Sequence, residues 1–320
     1  MASPSLPVLS GDKDQLLQHA VSRLTMSPRP GGAEADPIVT ATRRMPAVAA
    51  SYAPFPGQTD PRLRNALAAR GIEQLYTHQA LAFGHVLAGR NVVTVTPTAS
   101  GKTLCYNAPV LDTILKDPSA RALYLFPTKA LAQDQLAELH SLVELITQSA
   151  RGQREAPEGS AEGPAVRERV GVGPHPQLRT AAPEIGVFTY DGDTPSDARR
   201  AIRGKAHVVL SNPDMLHSGI LPHHPRWAKL FENLRFVVID ELHAYRGVFG
   251  SHLSNILRRL QRVCRHYGSD PIFICSSATI ANPRELAEGL TGRPFELIDQ
   301  SGAPRGEKFF LFVNPPVVNA

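Results

Sequence analysis

The stretch NVVTVTPTASGKTL, Asn91 to Leu104, decides the fold. Val92, Val93 and Val95 form a short β-branched run that reads as a buried strand. Thr96 to Ser100 then supply small residues for a tight loop, and Gly101-Lys102-Thr103 opens a helix. A strand feeding such a loop aims backbone N–H groups at one point, and the helix N-terminus adds partial positive charge. Together they make a polyphosphate cradle. Thr98, Ala99, Ser100 and Gly101 form its rim, Lys102 reaches the terminal phosphates, and the Thr103 hydroxyl ligates Mg²⁺. The usual spacing is G-x-x-x-x-G-K-[ST], and here Thr96 stands at the first glycine position. A Gly-Lys-Thr at a helix start also arises by chance; the strand before it and an acidic pair far downstream argue against that.

Three hundred and twenty residues suffice for one large or two modest domains with substantial cores. The three cysteines, Cys105, Cys264 and Cys275, are widely spaced and odd in number. They read as reduced core residues of a cytoplasmic protein rather than a zinc site or disulfide framework. No signal peptide and no apolar run near eighteen residues is read, so the chain is expected to be neither secreted nor membrane-spanning. A formal charge of +5 is compatible with a polyanionic partner and does not establish one.

Residues 1–59 are rich in Pro, Ala, Gly and Ser and read as a flexible region, with one helical patch from Asp14 to Leu24. Asp60-Pro61 is a helix start and Gly71 a stop. LYTHQ, Leu75 to Gln79, opens a second helix. By itself Gln79 reads first as an exposed helix residue; its place one helix before the phosphate loop raises the other reading, a carboxamide on adenine edges. After the loop, apolar runs at 122–126, 185–189, 207–210, 236–239 and 272–275 alternate with helical patterns, Lys129 to Leu145 among them. The pattern predicts an α/β fold, a parallel sheet with helices on both faces and ligands at the carboxyl ends of the strands. From about 147 to 183 no apolar period survives, and a gap of roughly 35 residues reads as a disordered insertion. His223-His224 has no further His or Cys at ligand spacing and is left as loop.

Asp240-Glu241 follows the apolar strand 236–239. A phosphate-loop enzyme needs one acid to hold Mg²⁺ and a second group to position the attacking water. Asp240 takes the first role and Glu241 the second, where a lone pair of acids would be an ordinary helix cap.

In order, TPTASGKT, FPTKALAQDQ (Phe126 to Gln135), YDGDT (Tyr190 to Thr194), SNPDMLH (Ser211 to His217), DELH (Asp240 to His243) and SSAT (Ser276 to Thr279) resemble the motif series of superfamily 2 DEAD/DEAH-box-type helicases. The wording of DELHAYRGVFGSH and SNPDMLH is similar to the MrfA/YprA-type branch, bacterial DNA-repair helicases related to RecQ-like enzymes. The resemblance runs from about Pro54 to the end. It implies a RecA-like P-loop NTPase domain at 60–295, with ATP and Mg²⁺ as cofactors and Gln79 on the adenine. By the same resemblance Lys102, Asp240, Glu241 and His243 are catalytic, Ser277 and Thr279 couple hydrolysis to movement, and Pro127, Thr128, Lys129, Asn212, Pro213 and Asp214 hold the nucleic-acid backbone. Tyr190 and Asp191 could line the same path, although a buried tyrosine at a strand end is an equal reading.

The same family uses a second RecA-like domain that supplies arginine fingers, and the tail at 296–320, with FELID (Phe295 to Asp299) at its start, resembles a linker and that domain's first strand. The expected function is therefore the motor domain of an ATP-dependent, 3′ to 5′ DNA helicase of the repair type, incomplete by itself. Its partners would be single-stranded or partly duplex DNA, with RNA possible, and a second RecA-like domain in cis or in trans. A non-catalytic nucleic-acid-binding fragment and an RNA helicase core are the alternatives.

Overall fold

The computed structural model describes residues 13–26, 39–155 and 185–313. These divide into two compact units, one made of the residues up to Ala50 with those from Pro304, the other Ser51–Ala303. In chain order the elements are α1 (Lys13–Met26), β1 (Val39–Met45), β2 (Tyr52–Ala53), α2 (Pro61–Ala68), β3 (Leu75–Tyr76), α3 (Thr77–Leu87), β4 (Val92–Val95), α4 (Lys102–Lys116), β5 (Arg121–Leu125) and α5 (Lys129–Glu155). There follow β6 (Val187–Thr189), α6 (Ser196–Lys205), β7 (Val208–Ser211), α7 (Pro213–Met215), α8 (Ala228–Glu232), β8 (Leu234–Ile239), α9 (Gly247–His266), β9 (Ile272–Ser277), α10 (Pro283–Thr291), β10 (Glu296–Ile298) and β11 (Lys308–Val313).

The larger unit is built on a seven-stranded sheet in the order β10-β4-β9-β8-β5-β7-β6, every neighbouring pair parallel. Side chains alternate between its two faces, as the pleat requires. Ala122 and Tyr124 of β5, Val238 of β8 and Ile274 of β9 enter one core, under α2 to α5. Leu123, Leu125, Val237, Ile239, Phe273 and Cys275 enter the other, against α9 and α10. Burial on both faces explains why these strands are apolar runs rather than alternating ones. Because all seven run the same way, their carboxyl ends share one edge, and β4, β5, β6, β7, β8 and β9 each deliver a polar segment there.

In the smaller unit β1 pairs with β11 antiparallel, Arg43 opposite Phe310 and Met45 opposite Lys308. Val48 and Arg305 extend this pairing with reciprocal backbone bonds of 2.8 and 2.9 Å.

Three boundaries differ from expectation. The flexible reading of residues 1–59 fails at Val39–Met45 and Tyr52–Ala53, which are strands because β11 and β3 supply their hydrogen bonds; residues 1–12 and 27–38 lie outside the described residues. The unpatterned stretch from 147 begins as helix, since α5 continues to Glu155; residues 156–184 lie outside the described residues. FELID is the seventh strand of this sheet, parallel to β4, and does not begin another domain. Asn91 fixes it there: its carbonyl accepts from Glu296 N at 2.9 Å, its Nδ2 donates to Pro294 O, and its Oδ1 accepts from Phe273 N in β9. Pairing with FELID satisfies the polar backbone along that side of β4.

Candidate functional site

The phosphate-type loop leaves β4 at Thr96, which is fully buried. Its hydroxyl shares a 2.6 Å hydrogen bond with Ser100 Oγ, so the threonine at the first glycine position closes the loop through its side chain. Ala99 (φ 61°) and Gly101 (φ 78°) are left-handed. Lys102 Nζ donates to the carbonyls of Thr96 at 2.8 Å and Pro97 at 3.2 Å, which holds the ammonium across the loop mouth. Gln79 braces the loop from α3: its Nε2 donates to Gly101 O at 2.9 Å and its Oε1 accepts from Tyr76 N at 2.9 Å. One N–H and one lone pair of the carboxamide remain for another partner. Gln79 lines a cleft of about 530 Å³ with Tyr52, Tyr76, Ala99, Gly101 and Thr103.

His78, beside Gln79, is a further brace. Its Nδ1 accepts from Gly302 N at 3.1 Å, so its proton sits on Nε2, 3.1 Å from Ser100 O. Burial lowers its pKa and keeps the ring neutral, outweighing the bond to Ser100.

The acidic pair stands two strands away. Asp240 Oδ1 accepts from Glu241 N at 2.9 Å and from the Ser276 hydroxyl. Tyr106, one turn into α4 from Lys102, places its hydroxyl 3.3 Å from Asp240 Oδ2 and 3.0 Å from Gln135 Oε1. Burial and then the Asp240 carboxyl raise this phenol well above its ordinary value, so it stays protonated. The helix that carries Lys102 and Thr103 is thereby tied to Asp240 through the Tyr106 hydroxyl. Glu241 is left-handed at φ 51°, and its carboxylate lies 3.1 Å from His243 Nδ1. The same nitrogen is 3.2 Å from Ala278 N in SSAT. Ser277 Oγ is buried without a hydrogen-bond partner, and Thr279 is exposed.

These donors fit a magnesium nucleotide. A hydroxyl and a carboxylate are hard oxygen ligands of the kind Mg²⁺ takes, and an ammonium at a left-handed loop opening suits phosphate oxygens. Among the described residues, no group of three or more His, Cys, Asp or Glu is placed to hold a metal ion.

The segments expected to hold nucleic acid lie at the other half of the same edge, after β5, β7 and β6. Thr128 and Lys129 are exposed; Thr128 Oγ1 accepts from Leu131 N at 3.4 Å, and Lys129 pairs with Asp193. Asp191 is half-buried and closes its own turn, accepting from Asp193 N and the Thr194 hydroxyl. Asn212 caps α7 through a 2.8 Å bond from Met215 N, while Asp214 is exposed and Pro127 half-buried. Two expectations need correction. The Tyr190 ring is 3% exposed, set edge-on to Trp227 at 4.7 Å with the Arg199 guanidinium 5.4 Å above it, so it offers no stacking face. Pro213 is buried as the first residue of α7, so its part there is to start that helix.

Sequence reasoning missed Tyr106, Gln135, Ser276 and His78. Two had legible signals: Tyr106 is one helical turn from Lys102 and Thr103, and Ser276 has the strand parity opposite to Ser277.

A parallel sheet with a phosphate-type loop after one strand and an acidic pair two strands away defines a RecA-like nucleotide-binding domain. The family model for DEAD/DEAH box helicases matches residues 76–163 and 176–286, and the chain belongs to that family. It is 54% identical over 266 residues to the uncharacterized ATP-dependent helicase YprA of Bacillus subtilis, covering 83% of this chain and 31% of that protein. Identity to the ATP-dependent helicase hrq1 of Schizosaccharomyces pombe is 36% over 285 residues, covering 88% of this chain and 24% of that one. Among solved structures, the helicase MrfA bound to DNA and AMPPNP superposes with a TM-score of 0.78 at 49% identity, over 94% of this chain and 36% of MrfA. The chain thus spans 24% to 31% of the length of these curated relatives. Among the described residues, no helix is long and apolar enough to cross a membrane.

Proposed function

We propose that this chain is the ATP-binding motor domain of an ATP-dependent DNA helicase that moves 3′ to 5′ and serves DNA repair. The observation that carries this is the Tyr106 hydroxyl, which ties α4, the helix that opens at the phosphate-type loop, to Asp240 of the acidic pair at 3.3 Å. In this reading Thr98 to Gly101 cradle the phosphates and Lys102 leaves its loop carbonyls to meet the terminal ones. Thr103 and Asp240 would hold Mg²⁺, and Gln79 would offer its remaining donor and acceptor to the adenine. A bound magnesium nucleotide supplies the electrophilic phosphorus. Glu241 orients the attacking water, and His243, between Glu241 and Ala278, links that position to Ser277 and Thr279. Thr128, Lys129, Asp191, Asn212 and Asp214 flank the nucleic-acid path; their hydroxyls, amides and one ammonium address the backbone, which suits movement on any sequence. DNA is favoured over RNA because the MrfA structure of 49% identity is a DNA complex. A second RecA-like domain, in cis or in trans, would close the nucleotide cleft with arginine fingers, worth about 10³ to 10⁵ in rate. Buried free thiols support a reducing, cytoplasmic setting.

Lys102→Ala tests the reading. DNA-stimulated ATP turnover should fall by about 10² or more, as for loss of one charged stabiliser of the transition state, while nucleotide-free DNA binding stays unchanged. Wild-type protein that binds DNA and never hydrolyses ATP, with any partner domain present, would instead be a non-catalytic binding module.

A further inference from the structure

Helix α9 buries Leu253, Ile256, Leu257, Leu260 and Cys264. Its outer face carries Arg258, Arg259, Arg262 and Arg265, and no Asp or Glu occurs between Gly247 and His266. Exposed helices commonly balance such charges at i, i+4. Here nothing does. Arg258 donates to Asn255 Oδ1 at 3.3 Å and Arg265 to the Gln261 carbonyl at 3.3 Å, and among the described residues none of the four forms an ion pair. Asp270, the next acid along the chain, is bonded to Arg293.

The four arginines line one groove of about 780 Å³. Asp214 and His217 border it where β7 ends, and Thr291 and Gly292 border it at the end of α10. The groove therefore starts at the strand-end edge and descends along α9, the helix that follows the acidic pair.

We propose that this groove is a second nucleic-acid site, which holds the phosphate backbone of the duplex part of a partly unwound substrate. The inference rests on the DNA-motor reading above. Guanidinium forks match phosphate oxygens, and four charges along about 10 Å of helix face a duplex that carries one charge per about 1.7 Å. No Phe, Tyr or Trp lines the groove. A single-stranded path uses aromatic platforms and a protein interface uses aromatic anchors, so the lining favours a stacked duplex read through its backbone. The one carboxylate, Asp214, stands at the strand-end border.

The test is fluorescence anisotropy of the full chain with a 3′-tailed duplex and with the tail alone as a single strand, each at two salt concentrations. For Arg258→Gln/Arg262→Gln/Arg265→Gln, affinity for the tailed duplex should fall about tenfold or more, and its salt slope should drop by about three, one per phosphate contact. Single-strand affinity should be unchanged. An equal fall on the single strand, or no fall on either, overturns the proposal. So does an equal fall in the charge-matched control Arg200→Gln/Arg203→Gln/Lys205→Gln on α6. If the triple α9 variant does not fold by circular dichroism, Arg262→Glu alone decides, since this exposed residue should weaken tailed-duplex binding more than Arg262→Gln does. Wild-type protein that binds single strands with no gain from an attached duplex refutes this site alone; binding to neither refutes the motor reading as well.

Discussion

Gly101 shows how much of the site depends on single atoms. At φ 78° its carbonyl accepts from Gln79, and a Cβ there would sit 2.6 Å from Gln79 Nε2. Ala99, at φ 61°, carries a side chain in a similar conformation, so backbone strain alone does not exclude alanine at 101. Gly101→Ala should cost about 1–2 kcal/mol from the left-handed backbone and also push the carboxamide off the loop. The expected result is a lower melting temperature and about tenfold weaker nucleotide binding by calorimetry, a change of 1.4 kcal/mol. Adding Gln79→Ala should restore part of the melting temperature if the contact matters, and none of it if strain alone does. The glycine was legible from the Gly-Lys-Thr spacing. Its contact with Gln79 was not, because 22 residues separate them.

At the scale of elements, α2 was readable to its first residue. Asp60 caps it, accepting from Arg62 N at 2.9 Å, and Arg62 in turn donates to Leu115 O at 2.8 Å, tying the start of α2 to the end of α4. The Arg62 side chain holds the Asp60 carboxyl below its ordinary 3.8. Asp60→Ala should cost about 1–2 kcal/mol in urea unfolding at neutral pH. The sign of the pH dependence follows from the lowered pKa: the unfolded carboxyl takes up a proton first, so the contribution is complete well above 3.8 and is lost as pH falls through the folded value. Wild type and variant should converge in acid; a constant gap would mean that the charge is not involved. The end of α5 and the strand β10 were less legible. Glu155 lies in a segment without apolar period, and β10 has three residues whose identity as strand depends on the free edge of β4.

Across the whole molecule the two cores can be watched through the three thiols, Cys105 on one face of the sheet and Cys264 and Cys275 on the other. Burial pushes Cys105 up to about 12 and Cys264 to about 11, and raises Cys275 as well, so none is a thiolate near neutral pH. A thiol reagent at pH 8 should label none of them in the native chain and all three in concentrated guanidinium, with native labelling following global unfolding of Trp227 fluorescence. Early labelling of Cys105 alone would show that the face under α4 opens separately. The sequence by itself determined the parallel α/β sheet, the identity of each polar segment at a strand end and the chemistry those residue types allow. These follow from local periodicity and from backbone preferences a few residues long. Tertiary structure alone decided that Tyr106, Gln135 and Ser276 converge on Asp240, that Tyr190 turns into the core against Trp227, and that the α9 arginines share a groove with Asp214. Such meetings depend on which strand lies beside which, and strand order is set by the packing of both faces at once rather than by any one stretch of chain.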